Sequence, residues 1–111
     1  MARARVYDAG LERNAANYAP LSPLSLLART AYTYPDRVAV IHGEWSLTWK
    51  AVYQRCRRLG SMLRRHGIGG GDTVAAMLPN VPAMYEMHFG VAMAGAGRHT
   101  PNTRIAAGTI A

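Results

Sequence analysis

Four glycines within five residues, Gly67, Gly69, Gly70 and Gly71, are the first candidate for chemistry in this chain. Closely spaced glycines can let backbone amides cradle a phosphate. The order of elements argues against that use. A phosphate loop follows a strand and opens a helix, so that helix amides face the anion. Here the glycines follow a helical pattern and precede an apolar one, and no Lys-Ser/Thr pair closes the loop. Gly95-Ala96-Gly97 also follows a helical pattern. Both clusters read as structural turns.

The other reactive side chains assemble no better. His42, His66, His88 and His99 show no HExxH-type spacing. His88 lies in an apolar helical pattern and reads as a satisfied core or interface histidine. Cys56, the single cysteine, falls on an apolar stripe and reads as a small hydrophobe. One cysteine makes no internal disulfide and no cysteine-based metal site. Trp45 and Trp49 read as core anchors at a strand-to-helix corner. Five of six methionines fall between Met62 and Met93, where core filling is the expected role. No residue is therefore nominated as catalytic, cofactor-binding or metal-binding.

The elements that would position these residues follow from local rules. Residues 1–21 show no period and read as an irregular lead-in. Ser22-Pro23 starts a helix, with Ser as N-cap and Pro at N1. Leu24, Leu27, Ala28 and Ala31 continue it, and Tyr34-Pro35 stops it. Arg37–His42 and Trp45–Trp49 read as strands joined at Gly43-Glu44, a hairpin. Thr48 caps a long helix whose stripe is Val52, Cys56, Leu59 and Leu63, and Gly67 ends it. Thr73–Leu78 is nearly all apolar, the pattern of a strand covered on both faces. Val81–Ala94 is apolar almost all round, the pattern of a buried helix. Ala106–Ala111 could begin a further helix. The fold class is α/β, with residues 22–111 as one partial domain.

Composition sets wider bounds. The chain has 111 residues, 50% of them hydrophobic, which argues against disorder. Thirteen Lys and Arg oppose six Asp and Glu, for a net charge of +7. Lys50 is the only lysine, and five arginines crowd the helical segment 49–66: Arg55, Arg57, Arg58, Arg64 and Arg65. Such a segment could meet nucleic acid or an anionic membrane. Without interleaved exposed aromatics or a binding motif, a solvated helix face is the preferred reading, and no nucleic-acid partner is expected. No signal peptide and no transmembrane segment are evident, and a cytoplasmic location is expected.

Several separated motifs carry a resemblance. Asn14–Leu27, Tyr34-Pro35-Asp36-Arg37-Val38-Ala39-Val40-Ile41 and Ser46-Leu47-Thr48-Trp49 come first. Gly67-Ile68, Gly71-Asp72-Thr73-Val74-Ala75, Leu78-Pro79-Asn80, Phe89-Gly90-Val91, Ala94-Gly95-Ala96 and Asn102-Thr103-Arg104 follow. Taken in this order, they resemble the N-terminal region of AMP-forming acyl-CoA synthetases, the adenylate-forming ligases. The resemblance implies a family that uses ATP, Mg and coenzyme A to convert a fatty or aromatic carboxylic acid into its acyl-CoA, releasing AMP and pyrophosphate.

The resemblance also implies that the catalytic segments lie downstream. The Ser/Thr/Gly-rich loop with Lys, the aromatic-Thr-Glu segment, the ribose-binding Asp and the C-terminal Lys have no counterpart among these residues. The chain is thus expected to be an N-terminal fragment or truncated product. It would form a structural part of the large domain, an incomplete layered sheet, and be inactive alone. Exposed sheet edges would then favour self-association or pairing with another chain. Two departures stand out. Gly97-Arg98-His99 replaces an apolar strand, where a buried unpaired Arg would be costly, and Ala106 stands where an Asp is expected. The strand after Gly95 is accordingly expected to be lost or exposed. The rival expectation is a free-standing basic binding module that uses the helix 49–66.

Overall fold

The computed structural model describes residues 10–105 and 107–110. The first nine residues of the irregular lead-in, with Ala106 and Ala111, fall outside that set. Residues 10–22 contain turns but no helix or strand.

Helix α1, Pro23–Thr33, starts where Ser22 accepts from the Ser25 amide. Ser25 returns the favour through its hydroxyl to the Ser22 amide, closing a capping box. Leu27 and Ala31 are the buried face of α1. Strands β1, Val38–His42, and β2, Trp45–Thr48, form the expected antiparallel hairpin. His42 pairs with Trp45 across the turn, and Gly43 adopts φ 61° there. Its register is irregular between Val38 and Val40.

Helix α2, Trp49–Arg65, begins with the Thr48 hydroxyl accepting from the Ala51 amide at 3.2 Å. It ends in a Schellman arrangement. Gly67 takes φ 75°, its amide donates to the Arg64 carbonyl, and the Ile68 amide donates to the Leu63 carbonyl. Ile68 then packs on the cluster that contains Leu63.

Strand β3, Thr73–Ala75, helix α3, Pro82–Ala94, and strand β4, Gly97–His99, make a β-α-β unit with parallel strands. Val74 pairs with Arg98. Helix α4, Ala107–Ile110, is one short turn.

The core lies along the helices. One cluster joins Leu27, Val52 and Cys56, backed by Val40, Leu47 and Trp49 from the hairpin and its corner. A second joins Leu63, Met87, Val91 and Ala94, backed by Ile68, Val74 and Ala76. Helices α2 and α3 share the closest approach, at Gly60 and Gly90. A Cβ on Gly90 would sit 2.6–2.9 Å from three Leu59 side-chain atoms. A Cβ on Gly60 would meet Met93 Cβ at 3.0 Å and the Gly90 carbonyl at 3.1 Å. Only glycine at residue 90 admits this contact without displacing Leu59.

Several expectations are corrected. The apolar run Thr73–Leu78 is not a strand covered on both faces. Only three of its residues are strand, Val74 is half-buried, and Thr73, Ala75, Met77 and Leu78 are exposed. Among the described residues its one strand neighbour is β4, and helices cover one side alone. Helix α3 is likewise not buried all round. Pro82, Glu86, Met87, Gly90, Val91 and Ala94 face inward, while Ala83, His88 and Ala92 are exposed. Its partner helices approach from one direction. Of the two outcomes expected for the strand after Gly95, lost or exposed, the second is found: β4 is present, and all three of its residues, Arg98 among them, are exposed. Exposure removes the desolvation cost that a buried Arg would carry.

Candidate functional site

The glycine loop is built as a joint. Gly69 N–H donates to Asp72 Oδ2 at 2.8 Å, and Gly97 N–H donates to the Asp72 carbonyl at 2.8 Å. Asp72 thereby ties the end of α2 to β4 through its side chain and its backbone. The loop sits at the carbonyl end of α2, where the helix dipole is negative. Its Gly69 amide is already satisfied by a carboxylate. The residues present therefore do not fit a triphosphate.

The densest polar constellation lies on the α2–α3 seam. Glu86, buried in α3, is held by Arg55 of α2, with Nε donating to Oε1 at 2.5 Å. The hydrogen bond to Glu86 raises the Arg55 pKa further above its ordinary value. The Arg55 guanidinium also lies 5.8 Å from the Trp45 ring centre. Neighbouring Cys56 is fully buried and its thiol lies 3.5 Å from the Glu86 carbonyl. Burial pushes the thiol up to about 11, with the nearby Glu86 charge adding to it. A thiol so placed is neutral near neutral pH and is no nucleophile. Burial also raises the Tyr85 phenol.

Sequence reasoning missed the Glu86–Arg55 pair. A carboxylate inside an apolar helix was the available signal, since a buried charge requires a partner. The same reasoning placed Trp45 in the core, whereas it is 45% exposed beneath Arg55. Trp49 does back the core cluster. His88 is exposed rather than buried, and its Nδ1 lies 2.6 Å from the Met84 carbonyl. Of the methionines, Met87 is buried, Met84 and Met93 are half-buried, and Met62 and Met77 are 44% exposed.

The arginines of α2 are partly occupied. Arg64 donates to the Met93 carbonyl at 2.6 Å, and Arg57 lies over Tyr53. Arg58 and Arg65 remain on the solvated face, as the amphipathic pattern predicted.

Two cavities flank the start of α3. One, of about 510 Å³, lies between β1 and α3, with Val40, Ile41, Val81, Pro82, Met84 and Tyr85 among its lining residues. The other, of about 600 Å³, lies between α3 and the segment after β4. Among the described residues, no three His, Cys, Asp or Glu side chains converge to hold a metal ion. Among the described residues this arrangement ties α2, α3 and β4 together.

Comparison with known proteins places this scaffold. Residues 27–111 match the model of the AMP-binding enzyme family. The chain is 52% identical over 101 residues to an acetate–CoA ligase of Humulus lupulus, covering 91% of this chain and 18% of that protein. It is 52% identical over 96 residues to a peroxisomal acetate/butyrate–CoA ligase of Arabidopsis thaliana, covering 86% of this chain and 17% of that one. The fold is similar to the N-terminal subdomain of Klebsiella oxytoca NpsA in complex with 3-hydroxyanthranilyl-AMSN. There the TM-score is 0.75 at 23% identity, over 79% of this chain and 23% of that one. O-succinylbenzoate coenzyme A synthetase from Bacillus subtilis, in complex with AMP, gives a TM-score of 0.68 at 25% identity, over 72% and 21%. The chain thus spans less than a fifth of the length of these curated relatives, and it belongs to the AMP-binding enzyme family, matching the N-terminal region of its acyl-CoA ligases.

Proposed function

We propose that this chain builds part of the large domain of an AMP-forming acyl-CoA synthetase and does not catalyse the reaction alone. The parent reaction joins a carboxylic acid to coenzyme A, with ATP converted to AMP and pyrophosphate. The observation that carries this reading is 52% identity over 101 residues to an acetate–CoA ligase of which the chain covers 18%. The glycine loop supports the second half, because it ties a helix to a strand where a nucleotide loop would need free amides. ATP, Mg and coenzyme A are therefore assigned to the parent enzyme, and no step is assigned to them here.

Residues 22–111 are the contribution to the large domain, and residues 1–21 lead into it. The substrate class is a fatty or aromatic carboxylic acid. Relatives named for acetate, butyrate, benzoate and cinnamate support a class of that breadth. Fatty acid metabolism is the matching role. No helix of the described residues is long and apolar enough to cross a membrane. A cytoplasmic parent is the first reading, and a peroxisomal one fits the names of several relatives. A fluorescent fusion of the parent enzyme separates the two.

The test is ATP–pyrophosphate exchange with acetate, butyrate, benzoate and cinnamate. The purified chain is expected to give no exchange above the blank. Grafting residues 14–105 into an acetate–CoA ligase in place of the equivalent segment is expected to retain exchange. Exchange by the chain alone overturns the inactivity, and a folded but dead graft overturns the domain assignment.

A further inference from the structure

We propose that the cavity between α3 and the segment after β4 binds the oxyanion of a phosphate ester, with Arg104 as its charged ligand. The cavity holds about 600 Å³, within the range of small-molecule sites. Its lining shares Asn80, Met84 and His88 with its neighbour and differs from it in Thr100, Asn102, Thr103 and Arg104. Asn80, His88, Thr100, Asn102, Thr103 and Arg104 all contribute, and no Asp or Glu does. Amides, hydroxyls and a guanidinium are the donor types that anions require.

Arg104 is exposed, and the one ion pair among the described residues, Arg55–Glu86, leaves it uninvolved. Its planar fork matches two oxygens of a phosphate or a carboxylate. Phosphate is the better fit here. A tetrahedral oxyanion can engage Arg104 together with the Thr100 and Thr103 hydroxyls of the same segment and the Asn80 amide across the cavity.

The local backbone prepares the site. The Arg104 amide donates to Asn102 Oδ1 at 3.0 Å, which folds the segment into a tight turn. Buried Pro101 anchors that turn at its start. On the other wall, His88 is fixed by its Nδ1 contact with the Met84 carbonyl. A carbonyl oxygen only accepts, so Nδ1 carries a proton there.

The test is titration of the 111-residue chain with inorganic phosphate, followed by amide NMR shifts. Acetate and adenosine monophosphate form parallel arms. Expected are saturable shifts at Asn80, His88 and Thr100–Arg104, with roughly tenfold weaker binding in Arg104→Ala and partial recovery in Arg104→Lys. Arg58→Ala, on the solvated face of α2, is expected to bind as the parent chain does. Preserved amide dispersion in each variant separates lost binding from lost folding. Three results overturn the proposal: no saturation by about 50 mM phosphate, far above the millimolar weak-binding range; shifts spread equally over Arg58 and Arg65; or acetate matching phosphate.

Discussion

The α2–α3 seam and the two strand pairs are built by one chain, yet they are sealed to different degrees. Along the seam, Val52, Cys56, Leu63, Met87 and Val91 are buried, and a pair of glycines lets the helices touch. The strand pairs keep large apolar surfaces in water. Ile41 is 74% exposed and Val38 54%, and all three residues of β4 are exposed. A helix pair can satisfy its own backbone and bury one stripe on each side. A two-stranded sheet has two open edges and needs a further layer. Among the described residues the helical seam is sealed, while each sheet still has an uncovered side.

Breaking the seam gives the largest expected effect. Arg55→Ala leaves the buried Glu86 carboxylate without its partner, and about 3 kcal/mol of stability is expected to go. That is the low end for buried pairs, because the Arg55 side chain is 42% exposed. Urea denaturation measures it, and a loss below about 1 kcal/mol, the level of an exposed pair, sinks the idea that the pair locks the seam.

Gly90→Val tests the close approach itself. Its branched side chain must displace Leu59, at an expected cost of about 2 kcal/mol. A neutral result in the same denaturation series means the helices slide apart freely.

The Cys56 thiol makes the seam sensitive to alkaline pH. Its ordinary pKa is 9.0 and the folded value is about 11. Below 9 both states hold the proton, and folding is unaffected. Between 9 and 11 only the unfolded chain releases it, so stability falls as pH rises. The loss approaches about 2 kcal/mol at pH 11, and Cys56→Ala is expected to flatten that part of the profile. An unchanged slope in the variant assigns the effect elsewhere.

The strand side provides the smallest effect. Ile41→Ser removes an exposed side chain and is expected to change stability by no more than about 0.5 kcal/mol. A cost above about 1.5 kcal/mol, the scale of burying such a side chain, means that β1 is already covered in solution, by a second copy or another chain. Size-exclusion chromatography of the same sample shows which.

Much of the local structure was legible in the residues. Ser22-Pro23, Thr48 and Gly67 act through hydrogen bonds to neighbours at most five positions away, so their roles follow from spacing. Gly43 between two β-rich runs marked the hairpin for the same reason. Trp45, His88 and the Thr73–Leu78 run were misplaced because their exposure depends on which elements lie across from them. Apolar patterning reports the covering that a segment is suited to, and β3 lacks that covering among the described residues. The Arg55–Glu86 pair joins residues 31 positions apart, beyond any local rule.

The motif order by itself determined the family reading and the α/β class, because separated short motifs must keep their sequence spacing to build the same elements. It also determined that the glycine cluster ends a helix. Tertiary structure alone decided which side of α3 is buried, which arginine neutralises Glu86, and which apolar residues stay in water. Burial is a property of what packs across a surface, and that neighbour is chosen by the whole chain rather than by the segment.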